Sequence, residues 1–122
     1  MKALVENGII DSSRICIAGI SYGGYAALMG GALTPDLYKC VVSINGVTNL
    51  VDMYQYDKYE HGHTHDVVAY MEMQFAANAA GKVDKKIMNA RSPDNYADSF
   101  TAPVLLVHAE NDKIVPANNL PR

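Results

Sequence analysis

The chain has 122 residues, of which 49% are hydrophobic and 19% are charged, and its formal net charge is −3. This composition is typical of a globular chain rather than a disordered one, and the acidic balance argues against a nucleic-acid partner. No apolar run approaches the roughly 18 residues that a membrane span requires. We therefore expect one globular domain, or part of one, with neither nucleic acid nor membrane among its partners.

The first part of the chain alternates short apolar runs with glycine-rich and helix-forming stretches. Apolar runs of strand length predict buried strands, and stretches rich in Ala, Leu and Met predict helices. The predicted elements are a helix that ends at residue 7, a strand over 14–18, a glycine-rich turn over 19–24, a helix over 25–33 and a second strand over 40–44.

The second part of the chain predicts further helices and one more strand. Strands without polar alternation, separated by helices, are typical of a parallel sheet that is covered on both faces. The sequence therefore predicts an α/β fold. The predicted elements are helices over 66–80 and 82–90, a loop over 91–95 and a third strand over 104–108.

The two cysteines, Cys16 and Cys40, each lie in or beside an apolar run. Free cysteine is among the most buried residue types, and two cysteines are too few for a disulfide framework. We expect both to be buried free thiols.

Residues 19–23 (GISYG) match the G-x-S-x-G pattern of a nucleophile elbow, in which a serine sits at a sharp turn from a strand into a helix. The close approach of neighbouring backbone at such a turn would explain Gly19 and Gly23. Ser21 would lie at the helix N-terminus, and the Tyr22 N–H would face developing negative charge. The alternative is a structural glycine-rich turn that contains an incidental serine.

Residues 19–26 (GISYGGYA) resemble the elbow of the prolyl oligopeptidase family of serine peptidases, which includes dipeptidyl and acylaminoacyl peptidases. Residues 102–116 (APVLLVHAENDKIVP) are similar to that family's strand and acid loop, and residues 92–97 to the segment before it. The resemblance implies a truncated α/β-hydrolase fold with three layers and a mostly parallel sheet.

The resemblance also implies site residues and an activity. Ser21 would be the nucleophile, Asp112 the acid of a Ser-Asp-His triad and Tyr22 the oxyanion-hole residue. The substrate would be a peptide or acyl-peptide, and no cofactor is expected. The alternatives are a serine esterase or lipase-like hydrolase and a non-catalytic remnant or interaction module.

None of the four histidines follows Asp112, and His108 closes the predicted third strand, so we do not expect it to be the base. We expect residues 1–122 to be the central part of a catalytic domain that lacks the N-terminal strands and the C-terminal histidine loop. Such a chain would be inactive alone and would self-associate through exposed sheet edges. We expect a cytoplasmic location.

Three histidines, His61, His63 and His65, alternate along one segment. In an extended strand they would face one way and could bind zinc, but the neighbouring Gly62 and Thr64 favour a solvated, flexible loop. Metal binding therefore stays open, and we assign no metal ligand.

A tyrosine-rich segment follows the second predicted strand at the sheet edge where open α/β sheets bind ligands. Val47 and Tyr54 could line a pocket for an apolar substrate side chain. The alternative for Tyr54 and its neighbours Tyr56 and Tyr59 is ordinary packing.

Overall fold

The computed structural model describes residues 2–76 and 83–117, in which three parallel strands form one sheet. The parallel sheet with intervening helices confirms the predicted α/β class. The helices and strands are α1 (Lys2–Glu6), β1 (Cys16–Ile20), α2 (Tyr22–Leu33), β2 (Cys40–Ile44), α3 (Leu50–His61), α4 (Asp66–Gln74), α5 (Lys85–Asn89) and β3 (Val104–Val107), with 3-10 helices at Ser12–Arg14 and Pro93–Ser99.

The strands lie in the order β1–β2–β3, so β2 is central. Ile20 pairs with Ile44, and Ile44 pairs in turn with Val107. The last residues of all three strands therefore lie side by side. Whatever follows them in the chain meets at one edge of the sheet.

Helix α2 covers one face of the sheet. Ala27 and Leu28 of α2 form a core with Val41 of β2, and Ile17 and Phe100 pack against it. Side chains alternate along a strand, so the opposite face carries Ile20 and Leu105. These side chains are 65% and 56% exposed. One face of the sheet is thus packed, and the other is apolar and open in the part of the chain that the structure describes.

A second core holds the three helices α3, α4 and α5 together. Its buried residues come from all three helices and are Leu50, Tyr54, Val68, Met71 and Met88. Ser92 links α5 to α3 in this core, because its hydroxyl donates to Met88 O and accepts from Leu50 N, at 2.9 Å each.

The first predicted strand was placed two residues too early. Asp11 accepts hydrogen bonds from the Ser13 amide and from Arg14 Nε, each at 2.8 Å, so Arg14 stays in a capped turn and β1 begins at Cys16. Helix α2 begins at Tyr22 rather than residue 25, because the glycines after Ser21 are already helical.

The helix α3 was not predicted from the sequence. Its tyrosines and charged residues give little apolar periodicity, yet Asn49 caps it by accepting from Asp52 N at 2.9 Å. The helix predicted over 66–80 was too long, because α4 ends at Gln74 and Ala76 pairs with Val83 in an antiparallel bridge. Residues 77–80 of that prediction lie outside the described residues.

The remaining predicted boundaries shift by a few residues. Within the predicted helix 82–90, α5 covers Lys85–Asn89, and the predicted loop 91–95 runs into the 3-10 helix Pro93–Ser99. β3 ends at Val107, one residue before His108. None of the helices in residues 2–76 and 83–117 is long and apolar enough to cross a membrane.

The prediction of two buried free thiols was wrong. Cys16 and Cys40 form a disulfide, and Cys16 is exposed. The reason is the strand register, which places the two residues directly opposite each other with a Cα–Cα distance of 4.6 Å. That separation is within the range that a disulfide bridges, and only the pairing of β1 with β2 creates it.

Candidate active site

Ser21 lies at the turn between β1 and α2. Its N–H donates to Ile44 O at 2.8 Å, which continues the strand ladder, while its carbonyl accepts from Tyr25 N at 3.1 Å and begins the helix. Its backbone has φ 55° and ψ −121°, a conformation that residues with a Cβ rarely adopt. Such strain costs about 1–3 kcal/mol and is found mostly at functional sites.

Two glycines allow this turn. A Cβ on Gly19 would overlap the backbone carbonyl of Gly23, and a Cβ on Gly24 would lie 2.7 Å from Ser43 Oγ and 2.9 Å from Gly46 Cα. The close crossing of α2 over β2 therefore requires Gly24. The expectation for Gly23 was wrong, since a Cβ there would meet no atom of the described residues within 4 Å.

The N-terminus of α2 begins directly after Ser21. The first amides of a helix have no partner inside the helix, and the helix dipole favours negative charge at this end. The Tyr22 N–H is the first of these amides, while the Tyr22 side chain is exposed and its ring centroid lies 5.7 Å from that of Tyr25. The backbone of Tyr22 can therefore support an oxyanion formed beside Ser21.

Asp112 follows β3 in a loop that its own carboxylate organises. Oδ1 accepts from Ile114 N at 2.8 Å and from Val115 N at 3.0 Å. These backbone hydrogen bonds, with that from Val115 the stronger influence, lower the pKa of Asp112, and the nearby His108 lowers it further. Asp112 is thus a fixed carboxylate that remains ionised at neutral pH.

His108 supports the same loop. Its Nε2 forms a 2.7 Å hydrogen bond with Val115 O, across the turn that Asp112 organises. Tyr56 reaches the loop from α3 and donates to Lys113 O at 2.8 Å. The acid loop is therefore held from β3 and from α3.

Asn45 connects the end of β2 to the acid loop, and sequence reasoning missed it. Its N–H donates to Val107 O at 2.8 Å, and its Oδ1 accepts from Ala109 N at 2.9 Å. The residue has φ 49°, a left-handed conformation that Asn tolerates better than most residues. An Asn followed by Gly46 directly after a predicted strand is the signal that could have indicated it.

The structure brings Ser21 and the acid loop to the same edge of the sheet. A cavity of about 360 Å³ is lined by Ser21 and Tyr22 on one side and by Ile114 and Val115, which follow Asp112, on another. Had the two segments followed opposite ends of the strands, no common site would exist. The parallel strand order places both at the carboxyl ends.

The helices α3 and α4 form most of the remaining wall of this cavity. Val47 lines it, as do side chains from both helices: Leu50, Met53, Asp57, Val67, Tyr70, Met71 and Gln74. Tyr54 is not part of the lining. It is buried in the helical core, where its hydroxyl donates to Glu72 Oε1 at 2.7 Å and accepts from Lys58 Nζ at 3.1 Å.

Asp57 is a buried carboxylate in the cavity wall, and sequence reasoning did not single it out. Its residue is only 3% exposed, and its Oδ2 is closed to solvent without a hydrogen-bond partner among the described residues. Burial raises the pKa of Asp57, while the charges of His61 and His65 lower it. A single aspartate in a tyrosine-rich helix gives no sequence signal for such a position.

The histidine run adopts neither an extended strand nor a plain loop. His61 ends α3, and His65 caps α4 by accepting from Val67 N at 3.4 Å through Nδ1, so the two rings stack with centroids 4.7 Å apart. His63 is exposed between them. Among the residues that the structure describes, no three His, Cys, Asp or Glu side chains are grouped to hold a metal ion.

The parallel sheet, its flanking helices and the serine turn at the carboxyl edge place the molecule among the α/β hydrolases. A model of the prolyl oligopeptidase family matches residues 1–121, and the chain belongs to that family. The resemblance expected from the two motifs is therefore confirmed, as is the truncated α/β-hydrolase fold.

The chain is similar to dipeptidyl aminopeptidase BIII of Pseudoxanthomonas mexicana, with 33% identity over 114 residues, which cover 88% of this chain and 15% of that protein. A solved puromycin-hydrolyzing peptidase of Mycobacterium tuberculosis matches with a TM-score of 0.73 and 31% identity, covering 97% of this chain and 16% of that one. The chain is also similar to YitV of Bacillus subtilis (strain 168), whose name describes it as an esterase. The identity is 29% over 112 residues, which cover 91% of this chain and 41% of that protein. The chain spans about a sixth of the two peptidases.

Proposed function

We propose that this chain supplies the nucleophile, the acid and an oxyanion donor of a serine peptidase that acts on peptides or acyl-peptides. Ser21 is the nucleophile, Asp112 is the acid, and the Tyr22 N–H is the oxyanion donor. The observation that supports this most directly is the strained turn at Ser21, which places a hydroxyl at a helix N-terminus on the same cavity as the acid loop.

The chemistry proceeds through an acyl-enzyme. Ser21 Oγ attacks the scissile carbonyl while a histidine base takes its proton, and the resulting oxyanion accepts a hydrogen bond from Tyr22 N–H. The histidine then donates that proton to the leaving amine, and water hydrolyses the acyl-serine. Asp112 orients the imidazole and stabilises its charged form.

The base is the component that the four histidines of the chain do not provide. His108 bonds to the acid loop, and His61 and His65 stack on each other at the end of α3 and the start of α4. We therefore propose that the base comes from a longer catalytic domain that contains this segment. A serine hydroxyl without an adjacent base is a weak nucleophile, so the 122-residue chain alone should be nearly inactive.

Supplying a base from solution tests this assignment. The 122-residue chain is incubated with a fluorophosphonate probe, with and without free imidazole, beside a Ser21→Ala variant. We expect slow labelling that imidazole accelerates, and no labelling of Ser21→Ala, with the adduct located at Ser21 by mass spectrometry. Equal labelling of both proteins, or fast labelling without imidazole, would contradict the proposal.

An esterase is the second candidate, and the similarity to YitV favours it. The two activities share the acyl-enzyme, but an ester has a better leaving group and needs less help from the general acid. Rates on aminoacyl-nitroanilides and on short acyl esters, measured with a longer protein that contains this segment, separate them. A peptidase turns over both substrates, whereas an esterase turns over only the ester.

A further inference from the structure

The catalytic proposal makes no use of Asp57, although Asp57 lies in the wall of the same cavity as Ser21. Its residue is 3% exposed, and Oδ2 has no hydrogen-bond donor among the described residues. A buried carboxylate without a partner is costly, and native structures rarely keep one unless it has a ligand or a role. Asp57 is therefore a buried anion for which the described residues supply no direct partner.

The cations near the cavity do not neutralise Asp57. The two ion pairs within residues 2–76 and 83–117 join Arg14 to Asp11 and Lys58 to Glu72. Arg91 also lines the cavity, but its guanidinium lies over the ring of Phe75, 5.7 Å from the ring centroid. The cavity thus has an anionic position that lacks an ion-pair partner in this part of the chain.

The imidazoles of His61 and His65 are the other charged groups that influence Asp57. They lie one turn further along α3 and at the start of α4, and their positive forms lower the pKa that burial raises. Both residues are exposed, so solvent screens their charge. Their influence on the Asp57 carboxylate is therefore weak.

Much of the remaining wall is apolar. Val47, Leu50, Met53, Met71 and Phe75 all line the cavity, and together they suit an aliphatic chain rather than a polar one. A flexible stem that packs against such a wall while its charged end meets one carboxylate is how lysine and arginine side chains are usually bound. The volume of about 360 Å³ is ample for one such side chain.

We propose that this cavity is a specificity pocket for a positively charged amino-acid side chain of the substrate, with Asp57 as the residue that selects the charge. The inference rests on the proposed function, because the pocket serves a substrate whose scissile carbonyl lies at Ser21. The aliphatic stem packs against Met53 and Met71, and the cationic end pairs with the Asp57 carboxylate. Pairing two buried charges replaces a single unpaired one, so the substrate relieves the cost that Asp57 imposes on the free protein.

Binding of two matched probes tests the proposal without requiring catalysis. The probes are N-acetyl-lysine amide and N-acetyl-norleucine amide, which share a stem but differ in charge, and binding to the 122-residue chain is followed by NMR titration. We expect the lysine probe to bind about tenfold more tightly. Equal binding of the two probes would overturn the proposal, and this comparison needs no variant.

Asp57→Asn removes the charge and keeps the shape. We expect this variant to lose the preference for the lysine probe, whereas Asp52→Asn, which changes an exposed aspartate of the same helix, keeps it. An unchanged preference in Asp57→Asn would overturn the proposal.

Ser21→Ala separates this inference from the proposed function. The variant keeps the cavity wall, so it should retain the tenfold preference even though it cannot be acylated. If Ser21 is not labelled but the chain still prefers the lysine probe and this preference depends on Asp57, the specificity pocket is supported and the peptidase assignment is wrong. If Ser21 is labelled but the chain does not prefer the lysine probe, only the proposal of a specificity pocket is wrong.

Discussion

The turn at Ser21 and the helical wall opposite it border one cavity, but they are built in different ways. The turn depends on backbone geometry, since Gly19 and Gly24 occupy positions where a Cβ would clash and Ser21 adopts a positive φ. The wall depends on side-chain packing between α3, α4 and α5 around residues such as Met88. We therefore expect the position of Ser21 to be fixed locally, whereas the shape and charge of the pocket can change without moving it.

Gly19→Ala tests the turn at Ser21 and should have the largest effect on stability. The new Cβ would overlap the Gly23 carbonyl, and backbone rather than a flexible side chain stands in the way. We expect a loss of more than about 4 kcal/mol in the free energy of unfolding, above the usual cost of overpacking. Chemical denaturation followed by circular dichroism measures it. Gly23→Ala is the matched control, because it has open space and should be tolerated.

Met88→Ala tests the helical wall of the cavity. Met88 is 0% exposed and lies in the core shared by α3, α4 and α5. Truncation of such a side chain leaves a cavity and should cost about 3 kcal/mol in the free energy of unfolding. The distinction between the two regions predicts that Ser21 keeps its imidazole-dependent labelling in the folded fraction of this variant. Loss of labelling in folded protein would show that the wall also positions Ser21.

Ser21→Gly should stabilise the chain while it removes the hydroxyl of the proposed nucleophile. Glycine adopts positive φ without strain, and the relief exceeds its extra cost in backbone entropy, so we expect a gain of about 1 kcal/mol. Thermal unfolding gives the size of the gain. Ser21→Ala is the control, because alanine keeps the strained backbone and should not gain; equal stability of the two variants would mean that Ser21 is not strained.

Asp57→Asn should have the smallest effect, and the effect should depend on pH. Burial raises the pKa of Asp57 above its usual 3.8, so the folded chain binds a proton more readily than the unfolded one. Its stability falls as pH rises from about 3.8 through the higher folded pKa, and the amide avoids this loss. We expect Asp57→Asn to be more stable at pH 7, by under about 1 kcal/mol, and the advantage to shrink in acid.

Melting temperatures of the two proteins between pH 3.5 and pH 7 measure that trend. The positive charges of His61 and His65 favour the Asp57 carboxylate and therefore act against the effect of burial. A constant difference across the range would mean that Asp57 titrates as an exposed group. Asp52→Asn, on the exposed side of α3, should show no comparable trend.

The local features of the fold were accessible from the sequence to different extents. β2 was predicted at its observed bounds, and the predicted bounds of β1 and β3 were within two residues of the observed ones. Short apolar runs bounded by turn residues are typical of buried strands. The elbow was recognisable because its pattern is contiguous in the chain, and Gly19 meets a steric requirement of the turn. Helix α3 was missed, since its helicity depends on the Asn49 cap and on packing rather than on an apolar stripe.

The site shows the same division. Ser21, Tyr22 and Asp112 could be named from motifs, because each motif is contiguous in the chain. Asn45 and Asp57 could not, since their importance comes from partners that are distant in sequence: Ala109 for Asn45, and a cavity wall formed by two helices for Asp57. The disulfide was missed for the same reason, because Cys16 and Cys40 become neighbours only through strand pairing.

By itself, the sequence determined the α/β class, the family and the position of the strained serine, since each of these depends on residues within a few positions of one another. Only the tertiary structure decided that a buried carboxylate, whose Oδ2 has no hydrogen-bond partner among the described residues, lies in the wall of the cavity beside that serine. Asp57 is buried only when α3 packs against the rest of the chain, and no local pattern of residue types encodes how that packing excludes water from one side chain.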